Sequence, residues 1–394
     1  MGNASRSYLL ASLLWALGCA PDGADDAASS DGNGKTTGWD DVRDTPDEAE
    51  SALPSSEGVE SDPRADDLVE VPTPTADPTQ FDELAAVSAG CEKTTGSPRN
   101  LTLRGNLGTH DPVIIAAGGK YYEYQTGKGI YGKVSSDLIS WDPLPSQLPR
   151  NPAWTARQVP GSTDLWAPDV AEFGGKFHLY YSVSTFGSNR SCIGHATSTN
   201  LASNSWKDEN GVICSNTGST KQNWNAIDPN IVIDDKGTPW MSFGSFWGGI
   251  KLIKLNAQGK RADNQIYSIA ARPNNGGAVE APFIIRRCNY YYLFVSFDKC
   301  CSGAQSTYKI AVGRSRSITG PYLDKSGRDM MQGGGTVVVQ GNSRWKGPGH
   351  NAILHDKGKF YNVYHAYAAS DGHAELRISE MTFDGSDWPV LAGP

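Results

Sequence analysis

The sequence predicts an all-β chain folded as a five-bladed β-propeller, preceded by a signal segment and a disordered acidic linker. Two observations point to the propeller. Runs with period-two alternation, rich in Tyr, Phe, Trp and Val and broken by Gly, Asp and Asn turns, fill the C-terminal three quarters of the chain and indicate antiparallel strands. One motif then recurs five times at a spacing that suits propeller blades and that a sandwich would not show. Almost nothing reads as a long amphipathic helix.

Residues 1–19 read as an export signal. Arg6 precedes the apolar run "YLLASLLWALG", which is too short to span a bilayer as a mature helix. The run ends in "ALGC", similar to a bacterial lipobox with Cys19 as the acylated residue, although Ala16 stands where Leu is usual. Plain cleavage after "GCA" is the alternative. The protein is therefore expected to be secreted, or held at the bacterial cell surface or outer membrane through lipid on Cys19.

Residues 20–97 read as a linker. From Ala20 to Gly90 there are 19 acidic residues against three basic ones, Lys35, Arg43 and Arg64. Such a stretch buries too little apolar surface to offset its ordering entropy and repels itself. The whole chain carries −8 and this stretch −16, so the remainder sums to +8. That mild basicity suits a substrate embedded in an acidic matrix and is too diffuse to indicate nucleic-acid binding. A monomer is expected.

Residues 98–394 hold the repeats. Their starts read "HDPVII", "WAPDVAEF", "IDPNIVI", "EAPFII" and "HNAILHD". A turn follows each ("GGK", "GGK", "DKG", "RCN", "DKGK"), then an aromatic strand such as "YYEYQT" or "YYYLFVSF". Aligned on Pro112, Pro168, Pro229, Pro282 and Ala352, the repeats lie 56, 61, 53 and 70 residues apart. The innermost strand of each blade begins at the repeat start, so whatever precedes these strands faces one central opening.

Asp111 and Asp228 occupy the same place in repeats one and three, and Glu280 lies one residue earlier relative to its Pro in repeat four. Asp before Pro is commonly a turn former; three carboxylates at equivalent repeat positions are better explained by a shared site. Paired carboxylates at fixed separation are what glycoside hydrolysis requires, one protonated and one ionised. A third anion raises the pKa of the acid by like-charge repulsion. Asp169, which follows its Pro, reads as structural. His350 opens repeat five and is placed to hold an ion or polar ligand at the axis.

In this order and spacing, "HDP", "LWAPDV", "AIDPN", "VEAPFI" and "GPGHN" resemble glycoside hydrolase family 43, and "SFGSFWGGIKL" is most similar to its endo-α-1,5-L-arabinanases. The resemblance runs from about Pro98 to the C-terminus. It implies an inverting enzyme of five blades, with the general base at Asp111, the general acid at Glu280, and at Asp228 the carboxylate that orients the acid. It also implies a calcium ion on the axis, held by His350 and waters, and arabinan as the polysaccharide partner. Sugar rings stack on flat apolar faces with polar edges, and Trp166, Phe186, Phe246 and Trp247 lie where such faces would meet a chain. Gly248 and Gly249 read as room for that chain to pass. The alternatives are an exo-acting α-L-arabinofuranosidase or β-xylosidase of the same fold, and a carbohydrate-binding propeller without catalysis.

Apart from Cys19, six cysteines remain: Cys91, Cys192, Cys214, Cys288, Cys300 and Cys301. An even number in an exported chain favours disulfides, with about 15 possible pairings. Cys288 and the Cys300–Cys301 pair flank a strand run, which suggests a clamp across that hairpin.

Overall fold

A computed structural model describes residues 96–201, 205–219 and 221–394. The export signal, Cys19, Cys91 and nearly all of the linker lie outside the described residues. Among the described residues no helix is long and apolar enough to cross a membrane, and the only α-helix is Ala153–Gln158.

The strands form five sheets in sequence order, each built on a four-stranded meander; in blade one the short strand Arg104–Gly105 is added at the outer edge, parallel to Ser140–Leu144. The inner strands are Val113–Ala117, Trp166–Phe173, Asn230–Ile233, Val279–Arg287 and Trp345–Asp356, which head blades one to five. The second strands, Lys120–Gln125, Lys176–Val183, Pro239–Phe243, Tyr290–Phe297 and Lys359–Ala368, pair antiparallel to them. In blades one and two the hairpin turns are Gly118–Gly119 and Gly174–Gly175, all four with positive φ. That conformation matches the strand twist and is open to glycine at no steric cost.

The second strands of blades two to five are buried almost throughout, on both faces. Their period-two pattern is therefore not apolar-in, polar-out, because each blade is packed between two others. Four apolar clusters fill the inter-blade spaces, one of them joining blades three and four and another blades four and five. Tyr124, Tyr292, Phe294 and Tyr364 are fully buried in them; burial of one such side chain contributes about 1.5–3 kcal/mol.

The two ends of the described chain close the ring on one strand, Ala374–Phe383 of blade five. Residues 99–101 and 107–109 pair antiparallel with it, Leu101 N–H donating to Ile378 O at 2.9 Å and Leu376 N–H to Leu107 O at 2.8 Å, while Arg104–Gly105 between them pairs with Ser140 and Trp141 of blade one. The last strand, Pro389–Leu391, pairs with Met381–Phe383 of the same strand. This closure carries no sequence motif.

A second tie crosses the inner strands. Asp169 of blade two accepts the Ile231 N–H at 2.5 Å and the Asn230 amide at 3.3 Å, and Asn230 Oδ1 accepts the Ile284 N–H of blade four at 2.8 Å. Asp169 is thus committed to holding blades two, three and four together.

Cys192 and Cys214 face each other on the third and fourth strands of blade two and form a disulfide. The clamp suggested across the blade-four hairpin does not form. Cys288 is disulfide-bonded elsewhere, while Cys300 and Cys301 carry thiols. The reason is geometric: Cys288 sits in the hairpin turn at the far end of the strand from the loop that holds the pair.

Removing the shared amide should expose the role of this tie. Asn230→Ala leaves the buried Ile284 N–H unpaired and should cost about 2 kcal/mol, read as a lower urea midpoint; an unchanged midpoint would show the tie to be dispensable.

Candidate active site

Each repeat start places one residue in the left-handed region, just before the inner strand or within it: Asp111 (φ 55°), Ala167 (44°), Asp228 (58°), Ala281 (52°) and His350 (48°). In blade five the residue in the proline position is therefore Asn351, not Ala352. Non-glycine residues rarely adopt this conformation, and here each is held by its own backbone N–H. Ala167 donates to Thr126 Oγ1 at 2.9 Å, Asp228 to Ser182 Oγ at 2.8 Å and Ala281 to Asp228 Oδ2 at 3.0 Å. His350 donates to Ser296 Oγ at 2.8 Å, and Asp111 to His365 Nδ1 at 3.1 Å. In each case the acceptor belongs to the preceding blade, so five bonds run once around the axis.

The residue one step earlier sits beside this ring: His110, Trp166, Ile227, Glu280 and Gly349. Glu280 reaches the site from that position. Its Oε2 accepts the Ser245 hydroxyl at 2.7 Å, and Tyr308 also bonds to it.

Asp111 is nearly enclosed by hydrogen-bonding groups. Oδ2 accepts from Thr126 Oγ1 at 2.6 Å and lies 2.9 Å from His110 Nδ1, while Oδ1 lies 3.1 Å from His350 Nδ1. Burial acts to raise its pKa, but the charges of His110 and His350 and their bonds hold it well below the usual carboxylate range. Burial works against a proton on His350 too; the charges of Asp111, Asp228 and Glu280 nonetheless raise its pKa. His365, fully buried, is pushed well down by burial, and its Nδ1 accepts from Asp111, which leaves the ring proton on Nε2.

The other two carboxyls go the opposite way. Burial pushes Asp228 up to about 7, against the pull of His350 and helped by the charges of Glu280 and Asp111. Burial also raises Glu280, although bonds from Tyr308 and Ser245 oppose it, and the charge of Asp111 adds to the rise. One carboxyl whose pKa is held down beside two whose pKa is raised is a set suited to accept a proton at one point and donate one at another.

The profile of the glycosyl hydrolases family 43 matches residues 102–389. The chain belongs to this family. It is 47% identical over 313 residues to a Bacillus subtilis (strain 168) protein named extracellular endo-α-(1→5)-L-arabinanase 1, covering 77% of this chain and 95% of that one. It is 44% identical over 299 residues to a Cellvibrio japonicus (strain Ueda107) protein named extracellular exo-α-(1→5)-L-arabinofuranosidase ArbA, covering 72% of this chain and 86% of that one. Among solved structures it matches the family 43 endo-arabinanase of Bacillus licheniformis with a TM-score of 0.70 and 48% identity, covering 74% of this chain and 99% of that one. The arabinanase of Cellvibrio cellulosa complexed with arabinohexaose matches with a TM-score of 0.70 and 43% identity, covering 73% and 96%. The protein is a glycoside hydrolase.

Family membership makes the four aromatic residues worth placing. Trp166 is half-buried beside the ring. Phe186 (79% exposed) and Trp247 (45%) stand out from the loops that join the second and third strands of blades two and three. Phe246, next to Trp247, is half-buried and donates its N–H to Val279 O at 2.9 Å. The loop carrying Phe246 and Trp247 also carries Ser245, so one segment supports Glu280 and presents apolar faces.

Gly248 and Gly249 do not open a passage. A Cβ at Gly248 would lie 2.5 Å from Asn223 O, and one at Gly249 2.1 Å from Ala270 O. These glycines let the loop pack against other backbone.

His110, Thr126, Ser182, Ser245, Ser296, Tyr308 and His365 were not singled out by the sequence. His110 alone had a visible signal, as the residue directly before Asp111. Among the described residues, two groups bring three metal-capable donors within 4.8 Å: His110–Asp111–His365 and His110–Cys300–Cys301. His350 belongs to neither, so an ion on it would take its other ligands from water.

The raised pKa of Asp228 has a sign that can be checked. Its protonated form favours the fold, a contribution present below pH about 4 and lost as pH rises through about 7. Asp228→Asn keeps an acceptor for Ala281 and stays neutral, so its melting temperature should exceed the parent's at pH 8 and match it near pH 4. Equal values at pH 8 would contradict the assignment.

Proposed function

We propose that the protein is an extracellular, inverting endo-α-1,5-L-arabinanase. What carries this reading is the split among three axial carboxyls, one with its pKa held down and two with theirs raised, in a chain whose relatives are named for arabinan cleavage. Asp111, ionised between two histidines, acts as general base and takes a proton from the water that attacks the anomeric carbon. Glu280, protonated and aimed by Ser245 and Tyr308, donates to the departing sugar oxygen. Asp228 orients the acid through the Ala281 N–H next to Glu280, and the charge of Asp111 adds to the raised pKa of Glu280.

An inverting reaction needs space for water, about 6.5–9.5 Å between base and acid. In support, no hydrogen bond joins Asp111 to Glu280 among the described residues, and each is held by different partners. All three carboxyls come from one chain, which suits action as a monomer. Phe186, Trp166, Phe246 and Trp247 provide stacking faces for a polymer. Export, with anchoring through Cys19, would place the enzyme where polysaccharide is met.

A calcium ion fits on the axis at His350, with waters completing its shell. Three acidic side chains surround that point, and their charges raise the pKa of His350 against its burial. The ion would supply fixed positive charge and hold water ligands in place.

Linear arabinan distinguishes internal from terminal attack. Viscosity should fall well ahead of reducing-sugar release; arabinose as the main product from the first minute would favour the exo alternative, whose precedent is the Cellvibrio japonicus relative. Glu280→Gln should lower kcat by about 10³-fold or more while linear arabinooligosaccharide binding, measured by calorimetry, stays within a few-fold. Surviving activity would remove Glu280 as the acid, whereas lost activity with lost binding would make it a structural residue. Chelation should lower both kcat and melting temperature, and added calcium should restore both; indifference to chelator would leave His350 without an ion.

A further inference from the structure

Behind Asp111 lies a second cluster that the reaction does not use. His110 gives Nδ1 to Asp111, and its Nε2 lies 2.8 Å from the Tyr367 hydroxyl and 3.8 and 3.9 Å from the sulfurs of Cys300 and Cys301. The Cys301 N–H donates to the Tyr367 hydroxyl at 3.1 Å, and Cys300 Sγ is 3.4 Å from it. The two sulfurs are 2.9 Å apart, closer than the roughly 3.5 Å at which non-bonded heavy atoms settle. An ion shared by His110 and the two sulfurs would have to displace the Tyr367 hydroxyl, whereas a bond between the sulfurs needs a movement of only about 0.9 Å.

We propose that Cys300 and Cys301 close to a vicinal disulfide, and that this bond is a redox-sensitive brace for both ends of the active site. The loop from Asp298 to Tyr308 touches the site twice. Cys301 and Cys300 back Tyr367 and His110 on the base side, and Tyr308 bonds to Glu280 on the acid side. Cys301 already holds a left-handed backbone (φ 54°) within this loop. An exported protein meets oxidising media in which such a bond forms. A small-molecule disulfide such as oxidised glutathione is the oxidant. One thiolate attacks it and releases one glutathione thiol; the neighbouring thiolate then attacks the mixed disulfide and releases the second. The two cysteines lose two protons and two electrons, and the glutathione disulfide gains them. Adjacent Cα atoms are about 3.8 Å apart, short of the about 4.4–6.8 Å usual for a disulfide, so the bond is strained and readily reduced.

The brace acts on the proposed base and acid and so rests on their assignment, but its formation is tested independently of that reading. The full chain is equilibrated with oxidised glutathione, denatured in N-ethylmaleimide without reductant and digested with trypsin. The peptide 300–309 should be unalkylated and two hydrogens lighter than its dithiol form, and should take up two maleimides only after reduction. Two maleimides without reduction, or either cysteine cross-linked to the peptide 288–299, would overturn the proposal. For the brace, mild reduction of the native enzyme should lower kcat about fivefold with KM little changed, and reoxidation should restore it. The Cys300→Ser/Cys301→Ser variant should show the lowered kcat and no response to the same redox buffer. Wild-type activity that is indifferent while the peptide shows the bond made and broken would refute the brace, as would a double variant that responds as the parent does. Should the double variant fail to fold, the wild-type peptide and kinetic measurements still decide.

Discussion

The structure depends on a ring of five hydrogen bonds around the propeller axis. In each blade a left-handed residue at the repeat start donates its N–H to a side chain of the blade before it. Left-handed backbone at a non-glycine residue costs of order 1–3 kcal/mol, and the bond from the neighbouring blade offsets that cost. The kink turns the side chain out of the strand's alternation and toward the axis. Three of the five kinked residues, Asp111, Asp228 and His350, bear groups suited to chemistry, and the other two are alanines. Blade packing and site geometry are therefore one constraint, since a shift of one blade moves the acceptor that fixes the next blade's functional residue.

This explains what the sequence made legible. The aromatic strands, the turns and the repeat interval were visible because each blade repeats the same local physics. The carboxylates were visible because they stand at a repeat-equivalent place. The acceptors of the ring were not, because no single residue type marks them: Thr126, Ser182 and Ser296 offer a hydroxyl, Asp228 a carboxylate and His365 an imidazole. Gly248 and Gly249 misled for a related reason. A glycine that admits a ligand and a glycine that admits a neighbouring backbone look alike in sequence, and only the Ala270 and Asn223 carbonyls separate the two. The cysteine pairing was equally hidden, because sequence proximity of Cys288 to Cys300 and Cys301 says nothing of which end of a hairpin each occupies.

The loops between second and third strands carry the remaining specificity. They lie outside the blade cores, so their residues are free to answer to substrate instead of packing. In blade three one such loop joins Ser245, bonded to Glu280, to Phe246 and Trp247; in blade four another joins Cys300 and Cys301 to Tyr308, also bonded to Glu280. Groups that hold the acid are covalently tied to groups at the rim. A polymer pressing on the rim is therefore positioned by the same segments that aim the acid, which is how remote binding is converted into orientation at the reacting bond.

Asp111 and Asp228 share a motif, a backbone conformation and near-complete burial, yet the pKa of one is held well below the usual carboxylate range and that of the other is pushed up to about 7. The residue before each supplies the difference. His110 brings an imidazole to within 2.9 Å of Asp111, whereas Ile227 is buried and apolar and gives Asp228 no charge to lean on. His350 reaches both, but its ring nitrogen contacts only Asp111. With one imidazole shared and one exclusive, the pKa of Asp111 is drawn down, and its charge adds to the rise that burial imposes on Asp228 and Glu280. A His-to-Ile change between two copies of one repeat thus accompanies opposite pKa shifts in two aspartates that share a motif.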